Sequence, residues 1–339
     1  SKKEELSLTD DNVTLLIPNM GDASSRLLAS VFKRMGINAV AMPISDMEVL
    51  KHGRGKTTCK ECLPMLLVIG GLLKYVYNHR KEGENLVLFM PAAAGYCRMG
   101  QYRIFIREML KKHNIKDVAQ ISLENENRYA GLGTTFTIES WRAVAIGDCL
   151  KDIRNSIRAM AVDPDEGLRI YEEEVQKLEK AFVKGKAMKQ LKETAKRFST
   201  IARKFNLDQA RFIGIMGEIF VRRDAFSRQG LIERLAKEEF VVRVSPLMEW
   251  VYYMEYMIKH NLFEASNKLG DKFDRWIADL VQRRIEKAVK KILVKSDLLE
   301  YSLIDLDKTM AHSTHILPKE LKGEPGMMVG MAMHDSIDR

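Results

Sequence analysis

Cysteine is scarce in this chain and confined to one part of it. Cys59, Cys62, Cys97 and Cys149 are the only four in 339 residues, and none follows Cys149. Long apolar runs are also lacking, since none approaches the roughly 18 residues that a membrane-spanning helix requires. The opening stretch SKKEELSLTDD is polar and has no apolar core of the kind a secretory signal needs. These absences point to a cytoplasmic protein without membrane segments. Thiols stay reduced there, so a CxxC reads as metal or redox chemistry rather than as part of a disulfide framework. No internal repeat, low-complexity segment, zinc-finger spacing or RNP-type motif is found. The formal net charge of +9 raises a nucleic-acid reading. However, the basic residues are spread along stretches such as KGKAMKQLKETAKRFSTIARKF and interleaved with acids in DLVQRRIEKAVKKILVKSDLLE. That is the pattern of solvated helix faces, and no nucleic-acid partner is expected.

What is present is an ordinary globular composition, 46% hydrophobic and 30% charged, in a length suited to two domains. The first half alternates short apolar runs with helical spacing. NVTLLIP, INAVAMP, NLVLFMP and DVAQISL read as strands, with ASSRLLASVFKRMG, LPMLLVIGGLLKYVYNHR and QYRIFIREMLKKHN as helices around them. This alternation predicts an open parallel sheet covered by helices, an α/β fold of Rossmann-like or flavodoxin-like type. Val162-Asp163-Pro164 marks a break. The expected division is an α/β domain over 1–162 carrying the cysteines, a helical connector over 163–207, and a second α/β domain with long helices over 208–339. In that last part strands are expected at 211–216 and 240–245 and a helix at about 226–237. Two strands make a marginal core, and a parallel pair is weaker still, so the second domain reads as incomplete.

The stretch GRGKTTCKECLP, Gly53 to Pro64, invites two site readings. A phosphate loop would need a glycine five residues before Gly55, and that position is Leu50. A zinc ribbon would need a second CxxC. A thioredoxin-like site would need its CxxC to open a helix directly after the first strand, whereas here it follows the second. Thiols gathered at strand ends suit an iron–sulfur cluster, with buried, inert cysteines as the plain alternative. Cys149 lies beside the stripe Ile146, Leu150, Ile153, Ile157 and Met160, where a small core residue is favoured over a ligand. His52 lies near the CxxC, and His312 and His315 read as surface residues. Glu218 and Arg222, in MGEIFVRRD, directly follow a strand. They read either as functional residues or as a strand-end salt bridge.

Three segments, TCKECLPMLLVIGGLLKY, FMPAAAGYCRMGQYRIFIREML followed by DVAQISLE, and MGEIFVRRDAFSRQGLIERLAKEEFVVRVSPLMEWVYY, together resemble the 2-hydroxyacyl-CoA dehydratase-like proteins. Within that family they resemble the CoA-substrate-specific activase-related branch. The resemblance implies an oxygen-sensitive [4Fe-4S] cluster between α/β domains, fed with electrons by an ATP-hydrolysing activase and serving a CoA thioester. It carries the cluster ligands onto Cys62 and Cys97, with Cys59 from the CKEC variant of the first motif. Lys56 and Arg98 would offset the cluster's charge, and Glu218 would act near the substrate. The family usually continues with a Pro-Phe-Gly-Cys-Met-Pro segment, so a further ligand is expected outside this chain. The expected function is that of an iron–sulfur protein in an ATP-driven, low-potential electron-transfer system. The alternative is a non-catalytic module, holding zinc or nothing, that docks an activase.

Overall fold

The computed structural model describes residues 6–58, 60–90, 97–121, 132–262 and 269–337. Strands β1 (Val13–Ile17), β2 (Ala39–Ala41), β3 (Asn85–Phe89) and β4 (Val118–Ile121) form one parallel sheet in the order β2-β1-β3-β4. Leu15 sits opposite Ala39 on one side of β1 and Val87 on the other. All five residues of β1 are buried, as the central strand of a doubly covered sheet must be. Successive side chains point to opposite faces. Leu15 and Ile17 therefore join one core with helices α1 (Asp22–Arg34) and α5 (Gly133–Met160). Leu16, Leu86 and Leu88 join another with α3 (Leu63–Asn78) and α4 (Met99–Lys112).

Helix α2 (Met47–Lys56) was not expected from the residue pattern; Asp46 caps it by accepting from Val49 N at 2.8 Å. Its closing residues Gly55 and Lys56 end a helix, whereas the lysine of a phosphate loop opens one. α2 and α3 touch backbone to backbone. A Cβ on Gly53 would lie 2.0 Å from the Leu66 carbonyl oxygen, and one on Gly70 would lie 1.9 Å from that of Val49.

α5 is 28 residues long, roughly 42 Å at 1.5 Å per residue. Its middle lies against α1, where Gly147 meets Ser24, and its later turns bond the second sheet through Asn155 Nδ2, which donates to Val242 O at 3.0 Å. Helices α6 (Pro164–Val183) and α7 (Ala187–Ser199) form an outer layer folded back on the first half. Arg26 of α1 binds Glu172 at 2.7 Å and also Glu179, which ties α6 to the first half.

The second sheet has two strands, β5 (Arg211–Ile215) and β6 (Phe240–Val244), paired in parallel from Arg211 opposite Phe240 to Ile215 opposite Val244. A pair this small is marginal alone. Its support comes from α5, because Val241 belongs to the same continuous core as Ile153, Ile157 and Leu15. Helices α8 (Leu231–Lys237), α9 (Met248–Lys259), α10 (Leu269–Leu293), α11 (Leu306–Ser313) and α12 (Glu324–Ile337) complete this half. The helix expected from about 226 is confined to 231–237. Residues 216–230 instead form successive turns, pinned where Asp224 Oδ2 accepts from Ser227 N at 2.7 Å and Ser227 Oγ at 2.6 Å. Among the described residues no helix is long and apolar enough to cross a membrane.

Candidate functional site

The order β2-β1-β3-β4 reverses direction between β1 and β3, and open α/β sheets place ligands in the crevice at the carboxyl ends of such a pair. Here the 216–230 turns enter that crevice. Phe220 packs into the core beside Leu16 and Leu88. Arg223 donates from Nε to Met20 O at 2.9 Å and from Nη2 to Ser24 Oγ at 3.1 Å, and forms an ion pair with Asp148 at 2.7 Å. Its guanidinium leaves no room for a side chain on Gly21, where φ is +105° and a Cβ would lie 3.0 Å from Arg223 Nη2. The crevice is thus roofed by the second half of the chain.

Two cysteines stand beside this roof. Cys62 is the residue before α3, extended at φ −68° and ψ 153°, with Pro64 in the first helical turn. Cys97 precedes α4 after the carboxyl end of β3 and is exposed, while Cys62 is half-buried. Two bonds bring their segments together. The Tyr102 hydroxyl, in the first turns of α4, lies 2.7 Å from Cys62 Sγ. Arg98 Nη1 donates to Lys60 O at 3.1 Å, inside the CxxC. Burial first, then Cys62, then the charges of Cys97 and Glu218, push the Tyr102 phenol well above its ordinary range. Cys62, Cys97 and Glu218 therefore all face one buried tyrosine.

The other expected residues are placed differently. Cys59 lies outside the described residues, as do the strand-end stretches 91–95 and 123–125. Lys56 does not reach Cys97. Its Nζ is 3.4 Å from His113 Nδ1, beyond the opposite end of a helix of 14 residues, roughly 21 Å long. Glu218 does not pair with Arg222. Its Oε2 accepts from Phe220 N at 3.1 Å and Val221 N at 2.8 Å, while Arg222 meets Glu249 at 3.7 Å. His52 turns to Glu48 at 3.7 Å and to the Tyr77 ring. His312 stacks edge-on with His334, 5.8 Å between ring centres.

Cys149 is buried in the core on α5 and borders a separate cavity of about 160 Å³ at the carboxyl ends of β5 and β6, with Asp152, Arg243 and Lys290. Burial pushes its thiol up to about 12. A thiol that ionises at 9.0 when unfolded and near 12 when folded stabilises the native state fully below pH 9. That contribution is lost as pH rises from there toward 12. The expected order of alkylation in metal-free protein is Cys97, then Cys62, with Cys149 modified only on unfolding, and site-resolved mass spectrometry checks it. Early labelling of Cys149 would contradict this placement.

Sequence reasoning missed Tyr102 and Arg223. Tyr102 follows Cys97 by five residues with no spacing that marks it. Arg223 looks like any strand-end base until the fold brings it to Met20. Fold and site together define a parallel α/β protein with a pair of thiols at the edge of its first sheet. No protein-family model, curated protein or solved structure matches the chain.

Proposed function

We propose that this chain is an iron–sulfur protein of an ATP-driven, low-potential electron-transfer system, with an ATP-hydrolysing activase as partner and acyl-CoA thioesters as the substrate class. One observation carries the site. Cys62 and Cys97, far apart in sequence, are drawn together by the Tyr102 contact and by the bond from Arg98 to Lys60 O. The donor set fits the group in its chemistry, since thiolates are what iron–sulfur clusters require. The described residues supply two of the thiols and hold no group of three or more metal-ligating side chains, so Cys59 and a donor from elsewhere are needed to complete the set.

The cluster would supply one-electron transfer at low potential. The residues of the chain would tune and shield it. With Cys62 ionised as a ligand, the Tyr102 hydroxyl 2.7 Å away would donate to its sulfur, and a hydrogen bond to a ligand sulfur tunes the potential. Arg98 holds the two thiol segments in register and places a positive charge beside them. The Phe220 turn covers the inner side and leaves Cys97 on the open side, where an electron donor can approach.

Protein purified without oxygen should contain iron and acid-labile sulfide. Cys62→Ser and Cys97→Ser should each lose most of that iron, while Cys149→Ser should keep it. Bound zinc without iron, or iron retained in both Cys62→Ser and Cys97→Ser, would overturn the reading.

A further inference from the structure

A second cavity, about 290 Å³, lies at the carboxyl end of β5. It is lined by Gly217, Glu218, Arg222, Ser227, Arg228 and Arg234, among others. Its cations are incompletely paired. Arg228 is 9% exposed, donates from Nη1 to Arg222 O at 3.0 Å, and has a buried Nε without a partner. No carboxylate among the described residues forms an ion pair with Arg228 or with Arg234, which stands exposed at the rim. Arg222 is 2% exposed, and its Nε also lacks a partner although its other nitrogens reach Gly217 O, Pro246 O and Glu249.

Lys151 of α5 adds to the positive charge around Arg228 without lining the cavity. It is 8% exposed, makes no hydrogen bond or ion pair with the described residues, and is surrounded by Arg228, Arg154, Arg223 and Arg158. Lys151, Arg154 and Arg158 share a face of α5, being three and seven residues apart. Burial, with those four guanidinium groups, holds the Lys151 ammonium well below its ordinary range. Nearby acids are mostly committed. Asp148 serves Arg223, Glu233 serves Arg158 and acts with Asp224 on Arg228 only through space, and Glu218 serves two backbone amides. Asp224 gives one oxygen to Ser227 and leaves the other without a hydrogen bond.

Burying a cation without a counter-charge is costly, and removing or satisfying it is favourable. Guanidinium forks suit oxyanions with two or more acceptor oxygens. We infer that this cavity binds a dianionic oxyanion group of phosphate type, gripped by Arg228 and Arg234. This inference does not depend on the thiol site.

The test is thermal unfolding and calorimetric titration of the whole chain with inorganic phosphate and, separately, glycerol 3-phosphate, against sodium chloride at equal ionic strength. Phosphate should raise the unfolding temperature saturably and chloride should not. Binding of inorganic phosphate alone assigns a free anion, and binding of both assigns an esterified one. Arg234→Ser, at an exposed position that leaves folding intact, should weaken binding about tenfold, the loss of one charge-assisted contact. Arg228→Gln, at a residue that lines the cavity, should abolish the increment that phosphate gives. Equal shifts with phosphate and chloride, or undiminished binding in Arg234→Ser or Arg228→Gln, would each overturn the proposal.

Discussion

Arg223→Met should cost about 4 kcal/mol of unfolding free energy, the range for breaking a buried ion pair by removing one partner. Both side chains are almost wholly buried, Arg223 at 1% and Asp148 at 7% exposure. The methionine would leave Asp148 charged and unpaired, and would strip a donor from both Met20 O and Ser24 Oγ. Asp148 Oδ2 also accepts from Met248 N at 3.0 Å, a bond that asparagine can keep. The double variant Arg223→Met/Asp148→Asn should therefore be less destabilised than the sum of the single changes, by about 1–3 kcal/mol of coupling. Urea unfolding of the four proteins checks both numbers. Since whole domains are stable by only about 5–15 kcal/mol, the single change should bring the midpoint down sharply. A loss below about 1 kcal/mol would mean that Arg223 does not hold the two halves together. The same change should loosen the thiol site, because Phe220 and Glu218 belong to the turn that Arg223 anchors.

Gly70→Ala should be nearly as damaging, about 3 kcal/mol, at the upper end of overpacking costs. The new methyl would lie 1.9 Å from the carbonyl oxygen of Val49 and 3.1 Å from the Gly53 nitrogen. Both neighbours are backbone, so no side chain can swing away, and the two helices must part. Gly53→Ala meets Leu66 O at 2.0 Å and should behave alike. Gly55→Ala, in the same helix but facing open space, is the control. It should be neutral or stabilising by about 0.5 kcal/mol, because alanine loses less backbone freedom in a helix. If all three substitutions shift the urea midpoint equally, the helix contact is not the cause. Parting α2 from α3 would also move Cys62, which opens α3, so thiol reactivity at Cys62 should rise in Gly70→Ala but not in Gly55→Ala.

The first sheet was legible from residue pattern alone. NVTLLIP and NLVLFMP are short apolar runs between helical stretches, and strands buried on both faces have to look like that. The two strands of the second half, at Arg211–Ile215 and Phe240–Val244, were also found, as was their scarcity. α2 was missed because MEVLKHGRGK carries two glycines and few apolar residues. Gly53 is there for contact with α3, not for a turn, while Gly55 faces open space. The helix expected from 226 gave way to turns over 226–230 because Arg223 is tied across the chain to Met20 O, while Asp224 and Arg228 close local bonds with Ser227 and Arg222 O, which outweighs local helix preference.

The candidate site divides in the same way. The sequence by itself determined that thiols gather in the first α/β unit, that Cys149 lies on a helix stripe, and that no phosphate loop is present, because residue type and spacing are local properties. Only the tertiary structure decided that Tyr102 meets Cys62, that Lys56 turns away to His113, and that Arg223 closes the crevice against Met20 and Asp148. It alone exposed the incompletely satisfied Arg228 at the second cavity. Each of these joins residues remote in sequence, and such pairing depends on packing and on where buried charge finds a partner, neither of which leaves a periodic trace in the chain.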